Sequence, residues 1–146
     1  MRCILAASLM LAAGAAGAGE LQAEPQVPTG QFTTAVEVRP ILTATKASWV
    51  AVRDYDGRDL VYLTQVLAWR CGLVRIRWAV NDAPLEPWPL PPCHADTASP
   101  NALTPRDGLP FVGLPGGSVA SVTVELTYDD LTTDTARFER AAVLMP

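Results

Sequence analysis

The apolar run Leu60–Val80, LVYLTQVLAWRCGLVRIRWAV, constrains the fold more than any other stretch outside the N-terminus. In its second half Val74, Ile76, Trp78 and Val80 alternate with Arg75, Arg77 and Ala79, the period-two pattern of a strand with one buried face. The first half, Leu60–Arg70, is apolar on both parities. It reads as a strand covered on both sides or, because Leu60, Leu63 and Leu67 also fit helical spacing, as a helix. Its β-branched and aromatic content favours strand. A turn at Cys71-Gly72 would then make a hairpin in which Leu67 faces Ile76, Trp69 faces Val74 and Leu63 faces Val80.

Ahead of this stretch lies a different signal. Met1-Arg2 is basic, Cys3–Ala16 is apolar without an acid, and Ala16-Gly17-Ala18 supplies small residues. Together they read as a bacterial secretory signal peptide over residues 1–18, with Leu21-Gln22-Ala23 as a second cleavage candidate. The apolar run is too short for a spanning helix, so the expected location is periplasmic or secreted. Loss of Arg2 and Cys3 would move the net charge from −4 to −5 and leave Cys71 and Cys93 as the cysteines. That acidic balance lacks the basic stripe nucleic acid requires, and no later segment is apolar and long enough to span a bilayer.

Residues 19–31, with Pro25, Pro28 and Gly30, read as a flexible leader, and 32–146 as a single β domain. Phe32–Thr45 alternates through Val36, Val38 and Leu42 and predicts an edge strand bent at Pro40. Ser48–Asp54 predicts a second strand, whose segment Trp49–Asp54 pairs with Leu60–Arg70 across the tight turn around Asp56-Gly57. Ser118–Tyr128 and Thr135–Leu144 predict a C-terminal pair in which Val124 faces Phe138, Leu126 faces Ala136 and Glu125 faces Arg137. Between them Asp129, Asp130 and Asp134 read as solvated loop acids. Gly116-Gly117-Ser118 is a turn, too short for a phosphate loop.

Residues 83–117 hold nine of the 13 prolines, which excludes regular helix or central strand there. Pro87–Pro92 should be locally polyproline II. A loop this long needs a tether, and in an oxidising compartment a Cys71–Cys93 disulfide supplies one, stabilising the fold by about 3 kcal/mol. Trp88 is then either a lid over the central apolar face or an exposed anchor for a partner or sugar ring, the lid being the preferred reading. Six strand candidates and short turns give an all-β, two-sheet antiparallel sandwich of immunoglobulin-like type, with a small or partly open β-barrel as the alternative.

No catalytic group survives inspection. His94 is the sole histidine and reads as a solvated loop residue, a bonded Cys is no nucleophile, and no cofactor motif is legible. The function expected is a non-enzymatic exported binding protein whose partner is an unknown protein or envelope component, with Trp88, Arg75 and Arg77 as binding candidates. The alternative is a calcium-type site on Asp54, Asp56 and Asp59, or an enzymatic accessory module. For the calcium reading, the loop departs from the EF-hand pattern and also suits any hairpin turn. The export reading is tested by mass spectrometry of protein purified from the periplasm. The chain should begin within residues 19–24, and an intact Met1 there would overturn the reading.

Overall fold

A computed structural model describes residues 20–146, so the signal-peptide reading lies outside the described residues. Seven strands form two antiparallel sheets that share one apolar core. The first sheet orders β1 (Ala51–Tyr55), β2 (Arg58–Tyr62) and β5 (Phe111–Pro115) as β1-β2-β5. The second orders β4 (Glu86–Trp88), β3 (Leu73–Val80), β6 (Ser121–Tyr128) and β7 (Thr133–Glu139) as β4-β3-β6-β7. Val52 and Val61 from the first sheet meet Ile76, Val122, Val124 and Leu126 from the second in that core, all nearly solvent-free. Two separate sheets packed through such a layer make a sandwich.

The β1–β2 turn behaves as its residues dictate. Asp56 and Gly57 both take positive φ, 52° and 70°, which a two-residue turn of the Asp-Gly kind requires, and Tyr55 then pairs with Arg58.

Two of the expected elements do not form, each for a local reason. Phe32–Thr45 is no strand: Ala35–Ala44 is an α-helix, α1, that buries Ala35, Val38 and Leu42 and leaves Val36 exposed. Its start is set by Thr34 and Glu37, whose carboxylate accepts from the Thr34 hydroxyl and from the Gly30, Thr33 and Thr34 amides. Pro40 lacks the amide that would bond the Val36 carbonyl, and Val36 lies on the exposed side of the helix, where that loss is tolerated. The helix sits on Gly72, where a Cβ would lie 2.3 Å from Val38 Cγ2.

Likewise Leu60–Arg70 and Leu73–Val80 are not a hairpin. β2 ends at Tyr62, a single helical turn, α2 (Thr64–Leu67), follows, and a 3₁₀ turn at Arg70–Gly72 delivers the chain into the opposite sheet. None of the three predicted pairs, Leu67–Ile76, Trp69–Val74 and Leu63–Val80, exists. The two-parity apolar content is explained by helical spacing, since Leu63, Val66 and Leu67 are all buried.

The C-terminal pair forms with its register displaced by two residues: Phe138 faces Val122, Ala136 faces Val124, and Thr135 faces Glu125. β6 is central and has a second neighbour, so Glu125 takes its cation from the other side, where Arg77 Nε and Nη2 donate to it at 2.8 and 2.9 Å. After β7 the chain turns through α3 (Arg140–Val143), and Leu144 and Met145 run beside Val52, the Met145 amide donating to the Val52 carbonyl.

Within the proline-rich segment, β4 and β5 both lie at sheet edges, where a missing amide is tolerated. Trp88 sits opposite Ile76, is 4% exposed and meets Trp78 edge-to-face at 5.0 Å between centroids. It closes the inner face of the four-stranded sheet. Trp88→Ala should therefore cost about 3–5 kcal/mol, as large core truncations do, read as a fall in the urea midpoint. A midpoint within error of the parent would show that Trp88 closes nothing.

Candidate functional site

The loop between β4 and β5 is fastened to the start of β3 by two adjacent residues. Cys71 and Cys93 form the disulfide, with Cα atoms 5.0 Å apart. Beside it Arg70 is 1% exposed, and its guanidinium donates to the carbonyls of Leu67, Pro91, Pro92, Asn101 and Ala102. Asn101 adds a third fastening, its Oδ1 accepting from the Cys71 amide at 2.8 Å and its Nδ2 donating to the Phe32 carbonyl at 2.9 Å.

His94 and Asp107 brace the same loop. His94 Nε2 and Asp107 Oδ2 are 2.8 Å apart, and that oxygen also accepts from the Thr104 amide. These bonds, the one from His94 first, hold the Asp107 carboxyl down at about 2. His94 is thus a half-buried structural partner rather than a solvated loop residue.

These fastenings build a cleft of about 550 Å³, within the range of small-ligand pockets. One wall is Gly30–Phe32, the floor is Thr64, Ala68 and Trp69, and the far wall is the loop from Ala98 to Leu103. Phe32 is 42% exposed and lies edge-to-face on Trp69 at 5.2 Å. Its φ of 59° is left-handed, a conformation that costs an aromatic residue about 1–3 kcal/mol. The Asn101 bond to its carbonyl and the Glu37 bonds to Gly30 and Thr33 hold it there.

The binding candidates read from the sequence do not share a surface. Trp88 faces the core with Ile76 and Trp78, while Arg75 and Arg77 occupy the alternate positions of β3 and face outward. Arg77 is spent on Glu125, and Arg75 is exposed.

The carboxylates of the β1–β2 turn do not assemble either. Asp59 is fully buried, and Arg140 Nη1 and Nη2 donate to its two oxygens at 2.5 and 3.0 Å. The Arg140 bonds, together with the Val119 amide, keep its carboxyl well below the usual range. Asp54 and Asp56 stay exposed. The cation facing Asp59 is a guanidinium, and among the described residues no group of three or more His, Cys, Asp or Glu side chains gathers as a metal cage.

Asp129, Asp130 and Asp134 are fastenings as well. Asp129 is 2% exposed, and its Oδ1 accepts from the Ala35 amide and from Gln26 Nε2, while Asp130 pairs with Arg39 and Asp134 with Lys46. They dock α1, the turn after it at Lys46, and through Gln26 part of the leader onto the β6–β7 hairpin.

Comparison with protein-family models, with curated proteins and with solved structures finds no match. Among the described residues no helix is long and apolar enough to cross a membrane.

Asp107 and Glu37 set an acid limit on this architecture. Burial alone would raise the Glu37 carboxyl, but its bonds from Thr34, Gly30, Thr33 and Thr29 outweigh that and hold it at about 2. Both carboxyls are thus lowered from ordinary values of 3.8 and 4.5. Their stabilisation is complete above those ordinary values and is lost as pH falls towards about 2. Urea unfolding of the parent should weaken steadily across that interval, and Asp107→Asn should weaken less steeply. Parallel pH profiles would remove Asp107 from the account.

Proposed function

We propose that the protein is an exported, non-enzymatic binding protein, periplasmic or secreted, that takes an apolar or aromatic group of its partner into the Phe32–Trp69 cleft. The observation that carries this reading is Phe32: an aromatic side chain held half-exposed, on a left-handed backbone, over a second aromatic. Strained and exposed apolar positions of this kind cluster at ligand clamps. Asn101 spends its side-chain amide on the scaffold, and the Phe32–Trp69 pair is what the cleft offers an apolar ligand.

The disulfide fits an oxidising, non-cytoplasmic compartment and so supports export. The partition of the sheets, first, second and fifth strands against fourth, third, sixth and seventh, supports an immunoglobulin-like reading of the sandwich, a fold whose loops cluster at its ends. Fold alone assigns no partner.

The test uses the neutral apolar probe N-phenyl-1-naphthylamine. Its emission should rise saturably on adding the folded protein, and Ala68→Trp, which fills the floor of the cleft, should abolish the rise without lowering the melting temperature. Phe32→Ala should weaken it at least tenfold. No saturable rise, or a rise indifferent to both variants, would overturn the cleft as the binding site.

A further inference from the structure

The outer face of the three-stranded sheet carries a second, independent feature. The register puts Tyr55 beside Arg58, Arg53 beside Leu60 and Gly113, and Tyr62 beside Phe111, all on the face opposite Val52 and Val61. Arg53 lies over the Tyr55 ring at 4.3 Å, and the Tyr62 and Phe111 rings meet tilted by 41° with centroids 4.8 Å apart. Arg58 lies flat across the sheet, Nη2 donating to the Gly113 carbonyl at 2.9 Å, in space that any side chain at Gly113 would fill.

The charges here have no carboxylate partner. Among the described residues Arg39, Lys46, Arg70, Arg77, Arg137 and Arg140 each lie within ion-pair distance of a carboxylate, whereas Arg53, Arg58, Arg75 and Arg106 do not, and of these four only Arg53 and Arg58 share one sheet face. The nearby acids are placed elsewhere: Asp59 and Asp54 occupy the inward parity, and Asp56 lies at the turn tip. In a chain with net charge −4, two guanidiniums interleaved with three aromatic rings on one open face form a local site for an anion.

We propose that this face binds a carboxylated polysaccharide, a polymer of uronic-acid type. Its pyranose rings would lie on Tyr62 and Phe111, and its carboxylates would take the Arg58 guanidinium and that of Arg53, which the Tyr55 ring carries. A chain that alternates ring and carboxylate matches a sheet face where side chains repeat about every 7 Å along a strand and about 4.8 Å across it. An acidic peptide fits less well. Peptides add to sheets at open edges, whereas the arginine and aromatic side chains of this site stand on the sheet's face, and the β1 edge is covered by Leu144 and Met145.

The site does not rest on the Phe32 cleft, so each can fail alone. The experiment is calorimetric titration of the full protein with oligogalacturonate, with maltotetraose as neutral sugar and oligoglutamate as acidic peptide. Oligogalacturonate should bind at least tenfold more tightly than either control and weaken as salt is raised. The double variant Arg53→Gln/Arg58→Gln should lose at least tenfold with an unchanged melting temperature, Phe111→Ala should lose affinity for the sugar, and Ala68→Trp should change nothing. No oligogalacturonate binding at millimolar concentration would overturn the proposal. So would equal affinity for oligoglutamate, which would mean an acidic-peptide surface, or full binding by the double variant.

Discussion

The arrangement depends on the guanidinium of Arg70. A proline-rich loop offers carbonyls but few amides, so folding it against a core threatens to bury acceptors without donors. Arginine has the opposite imbalance, five N–H donors and no acceptor. One Arg70 side chain therefore satisfies five loop and helix carbonyls at once. Burial pulls its pKa down and Asp107, 3.9 Å away, opposes that pull. The disulfide at the next residue adds a covalent tie at the same place, limiting the unfolded chain where Arg70 orders the folded one.

A similar economy governs the helix. α1 buries a narrow stripe, Ala35, Val38 and Leu42, and polar bonds add to that packing. Asp129 receives its first amide, Asp130 takes Arg39 and Asp134 takes Lys46, three acids from a single hairpin. The exposed pairs among these contribute little individually, but the buried Asp129 bond fixes where the helix begins.

What could be read from the sequence follows from which interactions are local. Alternation along β3 and β6, the Asp56-Gly57 turn and the two-sheet class were legible, because each depends on neighbours a few residues apart. The Cys71–Cys93 pairing followed from cysteine arithmetic rather than proximity. The signal for α1 was also local: Thr34 and Glu37 stand at capping-box spacing, and Ala35, Val38 and Leu42 at helical spacing, but Pro40 and the alternation of Val36 and Val38 outweighed them. The register of β6 and β7 slipped because Glu125 was given a partner on one side only, whereas a central strand chooses between two. Arg70 gave no sign of burial, since nothing in a sequence distinguishes an arginine among carbonyls from one in water.

The cleft could not have been found in any window of sequence. Its walls come from residues near 31, 66 and 100, and they meet because the loop is pinned at Arg70, Cys93 and Asn101. Asn101 joins the two sides: its Oδ1 accepts from the Cys71 amide and its Nδ2 donates to the Phe32 carbonyl. The strain at Phe32 is therefore sustained by the same clamp that orders the loop. Ordering entropy spent in folding need not be spent again on binding, which is how a rigid, partly apolar cleft gains affinity. A loop of prolines suits that purpose, because its unfolded chain has less freedom to lose at the outset.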